Sequence, residues 1–340
     1  MEIQGLISLV VVNNTKELEK IRSSTIFGCS GLTLTTLERD FFKSCQPLGF
    51  ILFARNCKNP DQVRDLVQSL KDTVHHKDVP ILIDQEGGRV VRLTPPVWRR
   101  VPPASVFGKM TEQSRDLAGE CVFENAVLIA TELRDLGITV NCAPCVDLLF
   151  TKDVDPIIGD RAFSSDPEIV AYLSLKMIDA FQSQGIVPVI KHLPGHGRAP
   201  VDSHLELPVV TNEMAELNET DFRAFRLICE NNQTGKTPWG MTAHVVYSAL
   251  GDSRPATLSD TIINTIIRQT IGFQGFLLSD DLAMKALSGS FKERTQSALN
   301  AGCDAVLHCN GNLDEMMEIA AAARSLSSES FDRFRESFPV

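Results

Sequence analysis

The feature that most constrains this chain is an alternation of two kinds of segment, which runs from Gly28 almost to the C-terminus. Short apolar runs of strand length are separated by longer segments in which apolar residues recur with helical spacing. Eight strand–helix repeats are typical of an α/β fold, a single-domain (β/α)8 TIM barrel. The eight predicted strands are Cys29–Leu34, Gly49–Ala54, Pro80–Asp84, Ile138–Cys142, Val187–Lys191, Gly240–Val245, Phe276–Ser279 and Ala305–His308.

Helix start signals support this alternation. Asn59–Pro60 and Asp166–Pro167 each place a capping side chain before a proline at the first helical position. Ser259 is a third predicted cap, because isoleucines with helical spacing follow it. Gly185 follows the second of these helices and precedes the next apolar run, as expected of a helix C-terminus.

The domain organisation follows from what the sequence lacks. A doubly wound open sheet with a second domain would usually show a glycine-rich phosphate loop after its first strand, and no such loop is present. No low-complexity linker or internal repeat divides the chain. We therefore expect an N-terminal extension over residues 1–24 and one catalytic barrel over residues 25–340.

Composition excludes several classes of protein. The 33 basic residues against 43 acidic ones give a formal charge of −10, which argues against a nucleic-acid partner. The early apolar run at residues 9–12 is too short to span a bilayer and follows no basic segment. The 9 cysteines are scattered through apolar stretches, as expected of buried thiols in a reducing compartment. We expect a cytoplasmic monomer with no membrane partner.

In a barrel of this kind the active site lies at the C-terminal ends of the strands. Polar residues that directly follow the apolar runs are therefore the candidates. Four clusters satisfy this criterion: Asp84–Arg89 with Arg92, Gly159–Arg161, Lys191–His192 continuing to Asp202–His204, and Ser279–Asp281.

The segment Lys191–Gly197 contains two histidines four residues apart, which on a helix would suggest a metal site. Pro194, Gly195 and Gly197 exclude a regular helix here, so we predict no metal. They indicate instead a loop shaped for close backbone approach, with Lys191 and His192 at the strand end as hydrogen-bond donors.

Two further patterns carry acid–base or nucleophilic chemistry. Asp202 lies two positions before His204, so its carboxylate can bond one ring nitrogen and leave the other to move a proton. A solvated surface pair is the alternative interpretation. Asp280 and Asp281 end an apolar strand, where a carboxylate serves as nucleophile, base or metal ligand. Side chains alternate along a strand, so we expect one of the two to face the site, and spacing leaves open which.

Taken together, the motifs resemble those of glycoside hydrolase family 3, in particular its single-domain bacterial β-N-acetylglucosaminidases of peptidoglycan recycling. The similarity runs from about Gly28 in the family's motif order, and Leu193 stands where the family usually has phenylalanine. The motifs that carry the resemblance are Ile83–Arg92, Lys191–Gly197, Asp202–His204 and Ser279–Met284.

This resemblance implies a retaining exo-glycosidase, a β-N-acetylhexosaminidase without a cofactor. Its substrate would be a small carbohydrate, N-acetylglucosamine β-1,4-linked to 1,6-anhydro-N-acetylmuramic acid, with or without a peptide. Asp280 would be the nucleophile that forms a glycosyl-enzyme. His204 would be the acid/base, oriented by Asp202. The residues that would hold the terminal sugar are Asp84, Arg92, Arg161, Lys191 and His192.

Three alternatives remain at this point. A phosphorylase or a β-glucosidase of the same family would share the barrel and the nucleophile. A metal-dependent barrel hydrolase would use His192, His196, Asp202 and His204, and chelation would abolish its activity. A sugar-binding protein without turnover would bind ligand and leave it intact.

Overall fold

In the computed structural model, which describes residues 22–150 and 158–338, eight parallel strands close into a barrel. Each strand pairs with its neighbours in chain order, and the last strand pairs with the first. The predicted (β/α)8 barrel is confirmed. The strands are β1 (Ser23–Gly28), β2 (Pro47–Leu52), β3 (Ile81–Ile83), β4 (Val140–Asn141), β5 (Val187–Leu193), β6 (Trp239–Thr242), β7 (Leu277–Asp281) and β8 (Ala305–His308).

The first strand differs from the prediction. Residues 29–34 were expected to form it, but β1 ends at Gly28. Its opening residues are small and hydroxylated, so an apolar criterion misses them. Ser24 is buried nonetheless, and its hydroxyl donates to the carbonyl oxygen of Arg324 at 2.8 Å. The predicted domain boundary after residue 24 therefore falls inside β1, and most of the predicted extension lies outside the described residues.

Helices cover the outside of the barrel and begin where the sequence predicts. Asn59 accepts a hydrogen bond from the backbone of Gln62, and Asp166 caps the helix that begins at Pro167. The Ser259 hydroxyl accepts from the backbone nitrogen of Ile262, the first residue of a π-helix over Ile262–Thr270. The α-helices are Thr36–Cys45, Pro60–Lys71, Ala104–Met110, Arg115–Asp135, Pro167–Ser183, Met214–Glu219, Asp221–Asn231, Phe291–Ala301, Leu313–Ala322 and Ser328–Ser337.

Alternation along the strands divides the apolar residues between two cores. In β1, Ile26 belongs to the cluster inside the barrel, whereas Phe27 packs outward against the helices. In β3, Leu82 points inward and Ile81 outward in the same way. The barrel interior is thus packed with side chains beneath the strand ends, so a ligand site has a closed floor.

The C-terminal helix Ser328–Ser337 closes the opposite end of the barrel. Phe334 packs against the ring of Trp239, with ring centroids 5.9 Å apart. The indole nitrogen of Trp239 donates to the Ser337 hydroxyl at 2.7 Å. This arrangement leaves the C-terminal ends of the strands as the face available for a site. Among the described helices, none is long and apolar enough to cross a membrane.

Candidate active site

A cavity of about 580 Å³ lies at the C-terminal ends of the strands. Its floor includes Ile51, Met241 and Leu307, which belong to the packed interior of the barrel. All eight residues that the sequence analysis selected line this cavity, and they come from six separate stretches of chain: Asp84, Arg92, Arg161, Lys191, His192, Asp202, His204 and Asp280.

One wall of the cavity is a cluster of five charged side chains, which we call the charged cluster: Asp84, Glu86, Arg92, Arg161 and Lys191. Lys191 Nζ lies 2.9 Å from Asp84 Oδ1 and 2.6 Å from Glu86 Oε1. Arg161 donates two hydrogen bonds to Glu86, at 2.8 and 2.9 Å. Arg92 donates to the other oxygen of Asp84 at 3.1 Å. Every cation is thus paired, and the carboxylates are held in fixed orientations.

Burial and ion pairing shift the pKa values of these groups in opposite directions. Burial by itself raises the pKa of Glu86, but Arg161 and Lys191 outweigh it and lower the pKa to about 2. The pKa of Asp84 is lowered likewise, because Lys191 and Arg92 outweigh its burial. Burial would lower the pKa of Lys191, yet the two carboxylates raise it. Asp84, Glu86 and Lys191 are therefore ionised at neutral pH.

His192 is oriented by a buried carboxylate that the sequence analysis did not select. Its Nδ1 lies 2.6 Å from Asp147 Oδ2, which leaves Nε2 as the nitrogen not engaged by Asp147. Asp147 also accepts from the backbone nitrogen of His196 at 2.6 Å. Burial opposes ionisation of Asp147, but His192 lowers its pKa below the ordinary value.

The segment that follows Lys191 is a tight loop, as its glycines and proline predict. Gly195 has a φ of +144°, a conformation that side-chain-bearing residues rarely adopt. A Cβ atom on Gly197 would lie 1.9 Å from the carbonyl oxygen of Leu148. The loop therefore packs directly against the chain after β4, the segment that supplies Asp147.

Asp202 and His204 form the pair that the sequence predicts. Asp202 Oδ1 lies 2.8 Å from His204 Nδ1 and accepts from the His204 backbone nitrogen at 2.7 Å. The His204 side chain is 64% exposed, far more than any member of the charged cluster. Because Nδ1 is engaged, Nε2 is available to exchange a proton with a ligand or with water.

Both aspartates at the end of β7 line the cavity, where alternation predicted one. They differ in what their oxygens do. Asp281 Oδ1 accepts from the backbone nitrogens of Ala283 and Cys309, so that carboxylate organises local backbone. Asp280 accepts only from the backbone nitrogen of Asp281 among the described hydrogen bonds, at 2.8 Å. Burial raises the pKa of Asp280, but the adjacent His192 and His244 lower it below the ordinary value.

Two residues of the site were given no role from the sequence, Glu86, which lies within the predicted cluster Asp84–Arg89, and Asp147. Glu86 lies two positions after Asp84 at a strand end, the spacing that places two side chains on one side of a strand. Asp147 follows an apolar stretch in the same way but pairs with a histidine 45 positions later. The sequence around Asp147 carries no signal for a partner so far along the chain.

The residues of the metal alternative, His192, His196, Asp202 and His204, do not bring three ligand atoms within 4.8 Å of one another. Within residues 22–150 and 158–338 the one group of three possible ligands is Cys145, Asp147 and His192, whose ligand atoms lie within 4.8 Å. Burial raises the pKa of the Cys145 thiol well above its ordinary value, which favours the protonated thiol. The hydrogen bond between Asp147 and His192 accounts for the other two residues without a metal.

Comparison with known proteins agrees with this geometry. The protein-family model of the glycosyl hydrolase family 3 N-terminal domain matches residues 15–337. A β-hexosaminidase of Tolumonas auensis is 39% identical over 282 residues, which cover 82% of this chain and 80% of that protein.

Solved structures give the same result. The crystal structure of native NagZ from Neisseria gonorrhoeae superposes with a TM-score of 0.84 at 32% identity, covering 94% of this chain and 90% of that one. The same protein in complex with N-trifluoroacetyl-D-glucosamine has a TM-score of 0.84 at 31% identity, with coverage of 93% and 90%. On these matches, the chain belongs to glycosyl hydrolase family 3, among its single-domain β-N-acetylhexosaminidases.

Proposed function

We propose that this chain is a retaining exo-glycosidase that releases terminal N-acetylglucosamine from peptidoglycan fragments in the cytoplasm. The observation that carries the proposal is the meeting of three elements in one cavity. These are a strand-end carboxylate at Asp280, an exposed acid–base pair at Asp202 and His204, and the buried charged cluster.

The proposed reaction has two steps. In the first, Asp280 attacks the anomeric carbon while His204 Nε2 gives its proton to the glycosidic oxygen, which leaves with the aglycone. In the second, His204 takes a proton from water as the water oxygen attacks the anomeric carbon and displaces the Asp280 carboxylate. Two inversions give net retention, and His204 ends protonated as it began, with a proton from water in place of the one that left with the aglycone.

The charged cluster is suited to recognising sugar hydroxyls. A carboxylate accepts and an ammonium or guanidinium donates, so a hydroxyl that meets both satisfies its donor and acceptor functions. We assign Asp84, Arg92, Lys191 and His192 this role, together with Arg161. The related Neisseria protein that was crystallised with N-trifluoroacetyl-D-glucosamine supports an amino sugar as the occupant.

The closed floor supports an exo mode of action. Packed side chains beneath the cavity prevent a polysaccharide from passing through, so a chain end enters and the aglycone extends outward. For the aglycone we propose 1,6-anhydro-N-acetylmuramic acid with or without its peptide. We propose a monomer in which one barrel provides the whole site, preceded by a short N-terminal extension.

The experiment that tests the proposal compares para-nitrophenyl N-acetyl-β-D-glucosaminide with the matching β-glucoside, in EDTA. We expect preferential release of nitrophenol from the N-acetyl sugar, with the β-anomer of free sugar appearing first by proton NMR. First appearance of the α-anomer would overturn the retaining mechanism. A rate that rises with added phosphate, with sugar 1-phosphate as product, would indicate phosphorolysis instead.

A further inference from the structure

Ser203 occupies an unusual place between the two members of the acid–base pair. Its neighbours Asp202 and His204 have side chains 31% and 64% exposed, whereas Ser203 is only 2% exposed. Its hydroxyl oxygen lies 3.0 Å from His196 Nε2, in a buried hydrogen bond. The loop therefore turns one small polar side chain inward at the point where it presents the other two outward.

The partner of Ser203 is itself fixed to the barrel. His196 is buried, and its backbone nitrogen donates to Asp147 Oδ1 at 2.6 Å. Burial and the neighbouring His192 lower the pKa of His196 to about 4, so this ring is neutral at physiological pH. Asp147 also orients His192, whose ring lies 5.5 Å from that of His196 between centroids. Asp147 thus holds both His192, which lines the cavity, and His196, which contacts the loop.

The backbone of Ser203 makes a second connection. Its carbonyl oxygen accepts from the backbone nitrogen of Ala286 at 3.2 Å. Ala286 lies in the segment after β7, five residues beyond Asp281. Through Ser203, the loop is joined both to the segment after β5 and to the segment after β7, the strand that carries Asp280.

The hydrogen bonds between Asp202 and His204 cannot provide this placement. Both of them run within the loop, from the His204 ring and backbone to the same oxygen of Asp202. They fix the ring relative to the loop and leave the position of the loop relative to Asp280 undetermined. Proton transfer requires that relative position, since a donor must come within hydrogen-bond reach of the glycosidic oxygen.

We infer that His196 and Ser203 are positioning residues, whose buried hydrogen bond anchors the loop so that His204 meets the leaving-group oxygen. The inference rests on the proposed acid role of His204. Loss of the Ser203 hydroxyl leaves the acid–base pair and the charged cluster intact, so it impairs protonation of the leaving group and spares recognition of the sugar.

The test is Ser203→Ala, assayed on aryl N-acetyl-β-D-glucosaminides with good and poor leaving groups. We expect kcat/KM to fall by roughly tenfold to a hundredfold on the phenyl glycoside, a part of what a general acid supplies, and far less on the dinitrophenyl glycoside. Inhibition by N-acetylglucosamine should be unchanged. Ser174→Ala is the matched control, because Ser174 is fully buried and its hydroxyl has no partner among the described residues.

His196→Leu and His196→Gln provide a second pair of variants, because glutamine keeps an N–H donor and leucine does not. We expect His196→Leu to reproduce the leaving-group dependence of Ser203→Ala, and His196→Gln to recover part of the loss. If Ser203→Ala behaves like Ser174→Ala, the inference is wrong. It is also wrong if losses are equal on both leaving groups and inhibition by the sugar weakens, since that indicates a general distortion.

His204→Ala in the same series separates this inference from the proposed function. If His204→Ala shows leaving-group dependence and Ser203→Ala does not, only the anchoring role fails. If His204→Ala shows none, the acid role fails, and the anchoring role fails with it.

Discussion

The charged cluster and the Asp202–His204 pair use similar chemistry in opposite surroundings. Lys191 lies 2.9 Å from Asp84 and His204 lies 2.8 Å from Asp202, so each region pairs a carboxylate with a nitrogen base at nearly the same distance. The side chains of the first pair are 3% and 14% exposed, and those of the second 64% and 31%. Contact distance therefore says little about what each pair does, whereas burial separates the two.

Burial makes the first region rigid and intolerant of change. Ions removed from water are stabilised only when every charge has partners, and an incomplete set is costly. Exposure leaves His204 Nε2 in the second region accessible to ligand and to water. This difference in burial supports the proposed roles, recognition for the charged cluster and proton transfer for the exposed pair.

Asp280 lines the same cavity as both regions, and its loss should have the largest effect. We expect Asp280→Ala to lower kcat by about 10⁴-fold or more, as removal of a nucleophile from a catalytic unit does, with the fold intact. Circular dichroism and the rate of nitrophenol release provide the measurement. Asp260→Ala, at an exposed aspartate paired with Arg254, is the control. Activity within tenfold of the parent protein would contradict the nucleophile assignment.

His204→Ala tests whether the exposed pair serves catalysis alone. On substrates with poor leaving groups we expect a loss of about 10²- to 10⁴-fold in kcat, with a much smaller loss on good leaving groups. The free energy of unfolding should change by less than about 0.5 kcal/mol, because the side chain is exposed. Urea denaturation measures the second quantity. If His204→Ala greatly lowered the free energy of unfolding, the exposed pair would be structural like the charged cluster, and the two regions would not differ in this respect.

Glu86→Gln tests the converse property of the charged cluster. It leaves Arg161 and Lys191 buried with one negative charge fewer, so we expect the free energy of unfolding to fall by about 3 kcal/mol and KM to rise. Glu168→Gln breaks the half-exposed pair with Arg223 and should cost less than about 1 kcal/mol. Equal effects of the two substitutions would show that burial does not distinguish these ion pairs.

The effect we predict on acid stability is smaller than that of Glu86→Gln on the free energy of unfolding. Glu86 has a pKa of about 2 in the folded protein against 4.5 ordinarily. Its contribution to stability is therefore complete above the unfolded pKa and is lost as the pH falls toward the folded one. Between pH 5 and pH 3 this amounts to about 2 kcal/mol. Urea denaturation should show a shallower decline in Glu86→Gln over this interval, and parallel curves would refute the attribution.

The sequence predicts those parts of the molecule that are encoded locally. Strand–helix alternation identifies the barrel, and the barrel directs attention to strand ends such as Asp84, Lys191 and Asp280. The start of β1 was missed because hydroxylated residues carry no apolar signal, although Ser24 is buried by pairing with distant backbone. Seven of the barrel strands were placed to within a few residues.

Partnerships between distant residues were not predictable in the same way. Glu86 is paired with a guanidinium 75 positions away, and Asp147 with an imidazole 45 positions away. Both carboxylates are recognised only after the fold brings their partners together. Ser203 lay inside a predicted motif, yet its inward orientation depends on where His196 packs.

The packing of the C-terminal helix against the base of the barrel has a practical consequence. The chain contains only two tryptophans. Trp239 is buried beneath the barrel by the C-terminal helix. Trp98 is half-buried and packs against the core between the barrel and its helices. In Trp98→Phe, Trp239 is the single indole, so its fluorescence reports on the base of the barrel alone. Detachment of the terminal helix, which removes Phe334 and Ser337 from around this ring, can then be followed optically.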